Sequence, residues 1–126
     1  MTVVDTSALI DSLTGPRRSA ARLRAFIEAG ERLALPSLVL YEWLRGPRLL
    51  EELAAQEALF PSEQALPFGW QEAALSAKLY GSVRRPRGRE IDLAIAAFAI
   101  GRNASLWTLN RADFEDIPGL NLAAVR

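Results

Sequence analysis

The first ten residues constrain the fold more than any other stretch of the chain. Val3 and Val4 form a β-branched apolar run that is too short for anything but a strand. Asp5 follows where this run ends, and Thr6 or Ser7 could cap the helix that comes next. In open α/β sheets, ligands bind beyond the carboxyl ends of the strands. The sequence therefore predicts a carboxylate at the edge of a sheet where ligands bind.

The rest of the chain alternates helical patterns with short apolar runs. This alternation is typical of a parallel sheet covered by helices on both faces, and we predict an α/β fold of three layers, α/β/α, with about four to five strands. Apolar residues 49, 50, 53 and 54 are expected to face inward. Further helices are predicted over residues 16–30, 38–45, 47–59, 69–83 and 90–101, and further strands over residues 32–35, 64–66, 105–109 and 120–125.

Length and composition limit the class of protein. The 126 residues, half of them hydrophobic, predict a single domain over 1–126 with a proper core. Fifteen basic residues balance fifteen acidic ones, so nucleic acid would have to bind at a local basic patch. No apolar run approaches the roughly 18 residues of a membrane span, and the start of the chain does not resemble a secretion signal. We therefore expect a cytoplasmic protein that does not bind membranes.

Two residue types are absent from the sequence. The chain has no cysteine, which excludes disulfides, thiol nucleophiles and thiolate zinc sites. It also has no histidine, the commonest general base and transition-metal ligand. Hydrolytic chemistry would then depend on carboxylates, and a hard cation such as Mg²⁺ or Mn²⁺ becomes the leading expectation for a cofactor.

Four acidic residues differ from the others in their surroundings. Asp5, Glu42 and Asp92 each lie within apolar sequence, and Asp113 follows the predicted strand at 105–109. A buried carboxylate without a partner is costly. Each residue has a simpler interpretation: Asp5 as a helix cap, Glu42 as the partner of an arginine, Asp92 as a favourable charge in a first helical turn, and Asp113 as part of an ordinary turn. Any one alone favours these structural interpretations, whereas all four together favour a shared site.

Electrostatic repulsion indicates what such a site would need. Two carboxylates ~5 Å apart repel by ~3 kcal/mol at an effective dielectric of about 20. Lys78 is the only lysine, so neutralisation would come from arginines or from a bound ion. A divalent cation converts this repulsion into binding affinity.

Four motifs in order resemble the PIN domain, and more narrowly the VapC-type ribonuclease toxins of bacterial toxin–antitoxin pairs. The motifs are Val-Val-Asp-Thr-Ser-Ala-Leu-Ile, Pro-Ser-Leu-Val-Leu-Tyr-Glu-Trp-Leu-Arg-Gly, Glu-Ile-Asp-Leu-Ala-Ile-Ala-Ala and Thr-Leu-Asn-Arg-Ala-Asp-Phe-Glu-Asp-Ile-Pro-Gly-Leu. The first is unspecific because any strand followed by a helix can produce it. Together, with matching spacing and length, they cover essentially the whole chain and are specific.

The resemblance implies a metal-dependent endoribonuclease that leaves a 5′-phosphate and a 3′-hydroxyl. It implies Mg²⁺ or Mn²⁺ as cofactor and leaves the number of ions open. Many relatives carry an acid at the position of Asn110, so either Asp113 or Asn110 fills the fourth place here. By motif position, the implied catalytic residues are Asp5, Glu42 and Asp92, and Asp113 is the expected fourth acid. The implied metal ligands are Asp5, Asp92 and Asp113, and the implied supporting residues are Thr6, Ser7 and Asn110.

The resemblance also implies partners. These are an RNA substrate, a small antitoxin that inserts a helix into the acidic groove, and a second copy of the chain in a homodimer, which becomes a heterotetramer or larger assembly with antitoxin. The apolar helices at 38–44 and 49–59 are where we expect the dimer and the antitoxin. A basic loop before Asp92 is suited to phosphate or to an acidic antitoxin segment, or is simply solvated. It holds Arg84, Arg85, Arg87 and Arg89.

Other functional classes fit less well. Phospho-acceptor receiver domains also place an aspartate after a first strand, but they need a preceding acid pair and a lysine after a late strand, which this sequence lacks. A catalytically inactive PIN-like binding module, acting through protein or RNA contacts, remains the alternative. So does a purely structural role for the four acids.

Overall fold

The computed structural model describes residues 1–124 and shows a parallel sheet of four short strands with six α-helices packed around it. The strands are β1 (Thr2–Val4), β2 (Leu33–Ala34), β3 (Ser105–Trp107) and β4 (Asn121–Leu122). The helices are α1 (Thr6–Leu13), α2 (Ala20–Glu28), α3 (Ser37–Arg45), α4 (Leu50–Leu59), α5 (Trp70–Ser82) and α6 (Glu90–Gly101). Short 3₁₀ turns cover Ser62–Gln64 and Arg111–Asp113. The predicted three-layer α/β/α architecture is confirmed.

The strand order is β2-β1-β3-β4, with every neighbouring pair parallel. Strand β1 is therefore central and fully buried, as its apolar run predicts. Its register with β3 pairs Val4 with Trp107, so the residues that follow each strand emerge side by side. The predicted strand at 64–66 is reduced to a single parallel bridge between Pro36 and Leu66. The last strand ends at Leu122, and the predicted extension to residue 125 lies outside the described residues.

Helix α6 forms the centre of the core. It begins and ends where the sequence predicts, and its residues from Leu93 to Ala99 are all buried. A helix that is apolar on every side must be surrounded by protein. It packs against α5, α3, β1 and β3. This position fixes its first turn, which carries Asp92, at the carboxyl edge of the sheet.

Helix α4 departs from the prediction. It begins at Leu50 rather than Pro47, and Leu49 and Leu50 face solvent instead of the core. The buried side chains are Glu52 and Gln56, whose polar atoms are satisfied locally. Glu52 accepts a hydrogen bond from the Leu49 N–H at 2.8 Å, and Gln56 donates to the carbonyl of Phe60 at 2.9 Å. The burial of these polar groups therefore carries little penalty, and the leucines form a surface patch.

The capping predictions also differ from the structure. Asp5, not Thr6 or Ser7, occupies the position before α1, and its side chain makes no capping hydrogen bond. The hydroxyls at the start of α1 bond to acidic side chains instead. Within residues 1–124, no helix has the length and hydrophobicity that a transmembrane segment requires.

Candidate active site

Asp5 lies at the carboxyl end of β1, where its backbone continues the sheet. Its N–H donates to the carbonyl of Trp107 at 2.9 Å, and its own carbonyl accepts from Leu9 N–H in the first turn of α1. The side chain is only 4% exposed, yet its carboxylate makes no capping bond to α1. Asp5 therefore occupies the cap position of α1 without a capping hydrogen bond from its side chain, and the buried carboxylate needs another explanation.

Two hydroxyl groups hold the Asp5 carboxylate. Ser7 donates to its Oδ2 at 2.9 Å and Thr108 donates to the same oxygen at 2.7 Å. Each hydroxyl in turn accepts from a backbone N–H, Ser7 from Leu109 and Thr108 from Asn110, both at 3.0 Å. Among the described residues, no group donates to Oδ1. The carboxylate is thus fixed in orientation while one oxygen stays available to a ligand.

Glu42 is brought to the same region by α3. Thr6 at the start of α1 donates a short hydrogen bond to its Oε1, which links α3 to the residue that directly follows Asp5. Its other oxygen lies 3.6 Å from Arg45, one turn further along the same helix. The arginine pairing considered for Glu42 is therefore present, but Arg45 is largely exposed and its attraction is screened by water.

Asp92 shows most directly that the acids lie together. Its pKa is raised to about 6, first because burial disfavours the ionised form and then because Asp5, Asp113 and Glu42 add negative charge nearby. The guanidinium of Arg89 lowers the same pKa but only in part. Residues from four remote stretches of the chain therefore share one electrostatic environment.

Asp113 is held at this site by Arg89. Arg89 donates to the Asp113 carbonyl at 2.9 Å and to both carboxylate oxygens of Asp116 at 2.6 and 2.9 Å. This two-pronged pair raises the pKa of Arg89 and lowers that of Asp116 through charge-assisted hydrogen bonding. It ties the 3₁₀ turn that carries Asp113 to the residue before α6, while the Asp113 side chain itself is exposed.

Asn110, the other candidate for the fourth position, is also exposed at the start of this turn. Its backbone N–H is engaged with Thr108, and its side-chain amide makes no hydrogen bond to the described residues. Both Asn110 and Asp113 can thus reach solvent at the mouth of the site. Of the two, Asp113 carries a charge, and that charge contributes to the raised pKa of Asp92.

The four arginines of the basic loop fall into two groups. Arg84, Arg85 and Arg87 are exposed, and they remain candidates for contact with RNA or antitoxin. Arg89 is instead engaged with Asp113 and Asp116. Arg89 therefore holds the turn that carries Asp113 in place beside the start of α6.

The chemistry of these side chains fits a hard divalent cation. The available donors are carboxylate, hydroxyl and amide oxygens, which Mg²⁺ and Mn²⁺ prefer. Burial and then repulsion between the acids raise the pKa of Asp92, and a bound cation would relieve that repulsion. Within residues 1–124, however, no three acids are already close enough together to form a ligand cluster. The acids are neighbours around a site and not a closed coordination shell.

The sequence analysis does not single out Thr108, which holds Asp5, or Asp116, which pairs with Arg89. Thr108 had a recognisable signal. It directly follows β3, as Asp5 directly follows β1, and the pairing of Val4 with Trp107 places the two side by side. A hydroxyl residue one position beyond a strand adjacent to β1 is the signal that could have identified it. Recognising that signal requires the strand order, which sequence reasoning did not supply.

Comparison with known proteins gives consistent matches over nearly the whole chain. Residues 2–120 match the family model described as the PIN domain. The chain is 35% identical over 122 residues to a protein named Ribonuclease VapC19 from Mycobacterium tuberculosis, covering 95% of this chain and 97% of that protein.

Solved structures share the fold. A DNA-bound VapBC from Salmonella typhimurium aligns with a TM-score of 0.76 at 23% identity, over 97% of this chain and 96% of that one. A toxin–antitoxin complex from Klebsiella pneumoniae aligns with a TM-score of 0.73 at 25% identity, over 95% of each chain.

Proposed function

The chain belongs to the PIN domain family, and from that premise we propose that it is an endoribonuclease toxin of a VapBC-type toxin–antitoxin pair, dependent on Mg²⁺ or Mn²⁺. The observation that carries the proposal is the convergence of four acids on one end of the sheet. Thr108 holds Asp5, Thr6 holds Glu42 and Arg89 holds the turn of Asp113. Burial and the charges of the other three acids raise the pKa of Asp92 in agreement with this arrangement. A ribonuclease as a relative at 35% identity supports RNA as the substrate.

The proposed ligands of the ion are Asp5, Asp92 and Asp113. The bound ion would polarise a phosphodiester and lower the pKa of an attacking water. Ser7 and Thr108 keep the Asp5 carboxylate in one orientation through Oδ2, so that Oδ1 can face the ion. Glu42, oriented by Thr6, is placed to accept a proton from water or to complete the ligand set. No protein nucleophile is needed, in agreement with a chain that lacks cysteine and histidine.

The proposed partners are a small antitoxin and a second copy of the chain. Similar solved structures are described as VapBC or toxin–antitoxin complexes. The exposed apolar patch on α3 and α4 supports association, since Tyr41, Leu44, Leu49 and Leu50 face solvent there. We place the homodimer and the antitoxin on this surface, as in a heterotetramer or larger assembly, and we place the protein in the cytoplasm.

Cleavage of total RNA by the purified protein tests the function. The wild type should cleave RNA with Mg²⁺ or Mn²⁺ and stop when a chelator is added. Asp5→Asn and Asp92→Asn should abolish cleavage, whereas Glu63→Asn, at an exposed acid outside the site, should not. A catalytically inactive binding module would bind RNA or a protein partner but cleave nothing under any of these conditions. Cleavage that persists with the chelator would overturn the metal dependence.

A further inference from the structure

An open pocket of about 300 Å³ lies between α5 and α6. It is lined by Ser76, Ala77 and Tyr80 from α5 and by Glu90 and Leu93 from α6. Glu90 and Asp92 belong to the same first turn of α6. Residues two apart on an α-helix point to nearly opposite sides of it, and an α-helix is about 10–12 Å wide with its side chains. The pocket therefore lies across the first turn of α6 from Asp92, a separation that a few nucleotides of single-stranded RNA can span.

The lining of this pocket combines an aromatic ring with an unused acceptor. Tyr80 is 40% exposed, and its ring forms part of the wall. The Glu90 carboxylate makes no hydrogen bond or ion pair with any described residue, whereas the Ser76 hydroxyl is already committed to the carbonyl of Glu72 at 2.6 Å. The Tyr80 hydroxyl likewise makes no hydrogen bond with a described residue. The pocket thus offers two polar groups without partners, and the carboxylate of Glu90 is the anionic acceptor of the two.

The basic loop adjoins the same pocket. Tyr80 stands in the last turn of α5 and Glu90 in the first turn of α6, and the loop joins these two ends. Its exposed residues Arg84, Arg85 and Arg87 can therefore meet phosphates on either side of a group that enters the pocket. A platform for stacking, an acceptor and flanking positive charge together match a nucleotide in single-stranded RNA.

We propose that this pocket binds one unstacked base of the RNA substrate and selects guanine, with Tyr80 stacking on the base and Glu90 accepting hydrogen bonds from its edge. Guanine presents two adjacent donors, N1–H and the 2-amino group, which suit the two oxygens of a carboxylate. Adenine and cytosine offer one amino group at that edge, and uracil offers one N–H. This inference rests on the proposed ribonuclease function and assigns its sequence preference.

The test combines binding and cleavage on the full-length protein. In metal-free buffer, NMR titration with guanosine, an uncharged nucleoside, should shift the signals of Tyr80 and Glu90. Inosine and adenosine should bind with an affinity at least about tenfold lower. Sequencing of fragments from a randomised RNA pool should show guanine enriched at one fixed position relative to the cut. Glu90→Gln should remove both preferences, Tyr80→Phe should keep them, and Glu63→Gln is the matched control.

The outcomes separate this inference from the proposed function. If the protein cleaves RNA without guanine enrichment, or if guanosine leaves the signals of Tyr80 unshifted, the pocket does not select guanine. The proposed ribonuclease function is unaffected by either result. If the protein cleaves no RNA, the proposed function fails and takes this inference with it. If Tyr80→Ala changes the sedimentation of the protein but not its base preference, the pocket is an interface between copies and the inference is wrong.

Discussion

Thr108 donates a 2.7 Å hydrogen bond to Asp5 across 103 residues of sequence, and both side chains are almost completely buried. The bond joins the ends of the two central strands at the point where the acidic site begins. It makes the orientation of a proposed metal ligand depend on a neighbouring strand.

Replacement of Thr108 tests this dependence. Thr108→Val removes the donor to Asp5 and the acceptor for Asn110 N–H, and we expect it to lower the free energy of unfolding by about 1–3 kcal/mol. RNA cleavage should fall as well, because Asp5 loses its fixed orientation. Thr108→Ser keeps the hydroxyl and should therefore retain most of the stability and most of the RNA cleavage. Denaturant unfolding and a cleavage assay provide the measurements, and full activity in Thr108→Val would contradict the assigned role.

The raised pKa of Asp92 predicts an unusual dependence of stability on pH. Because the folded-state pKa of about 6 exceeds the unfolded value, the folded protein binds this proton more tightly and loses stability as pH rises from about 4 to 6. Asp92→Asn removes the free-energy cost of ionising this carboxyl in the folded protein. The variant should therefore be more stable than the metal-free wild type at pH 8, by on the order of 1–2 kcal/mol, and the two should converge near pH 4. A less stable variant at pH 8 would indicate a structural role for Asp92.

Divalent cations should make the wild type more stable than the Asp92→Asn protein. Millimolar Mg²⁺ or Mn²⁺ should raise the melting temperature of the wild type, because a ligand that binds only the folded state stabilises it. The Asp92→Asn protein should respond much less. Differential scanning calorimetry in buffers with each ion and with a chelator gives the comparison, and equal shifts in both proteins would argue against the site.

The clamp formed by Arg89 should matter to both stability and activity. Arg89→Ala frees the turn that carries Asp113 and removes the charge that partly offsets the raised pKa of Asp92. We expect a loss of roughly 1 kcal/mol in stability, since the pair with Asp116 is partly exposed, together with slower cleavage. The exposed Arg87→Ala is the control for stability and should melt like the wild type. Equal melting temperatures for both variants would mean that the clamp is dispensable to the fold.

The exposed leucine on α4 tests the proposed interface. Leu50 is 83% exposed, so Leu50→Asp should change the stability of a monomer by less than about 0.5 kcal/mol. If α3 and α4 form the homodimer surface, the variant should sediment as a monomer at concentrations where the wild type is dimeric. Ile27→Asp, at a half-exposed apolar position on α2, is the matched control. A dimeric Leu50→Asp protein would place the interface elsewhere.

The sequence by itself determined the fold class and the bounds of α6, and it singled out the acids that we propose for the site. Those features follow from local patterns: a β-branched run, apolar residues on every side of a helix, and carboxylates embedded in apolar sequence. Only the tertiary structure decided the rotation of α4, which buries Glu52 and Gln56 and exposes Leu49 and Leu50. It alone decided that Thr108 holds Asp5, and that Arg89 binds Asp116 instead of remaining free with the other loop arginines. These outcomes depend on contacts between remote segments, and hydrophobic periodicity carries no information about which segments become neighbours.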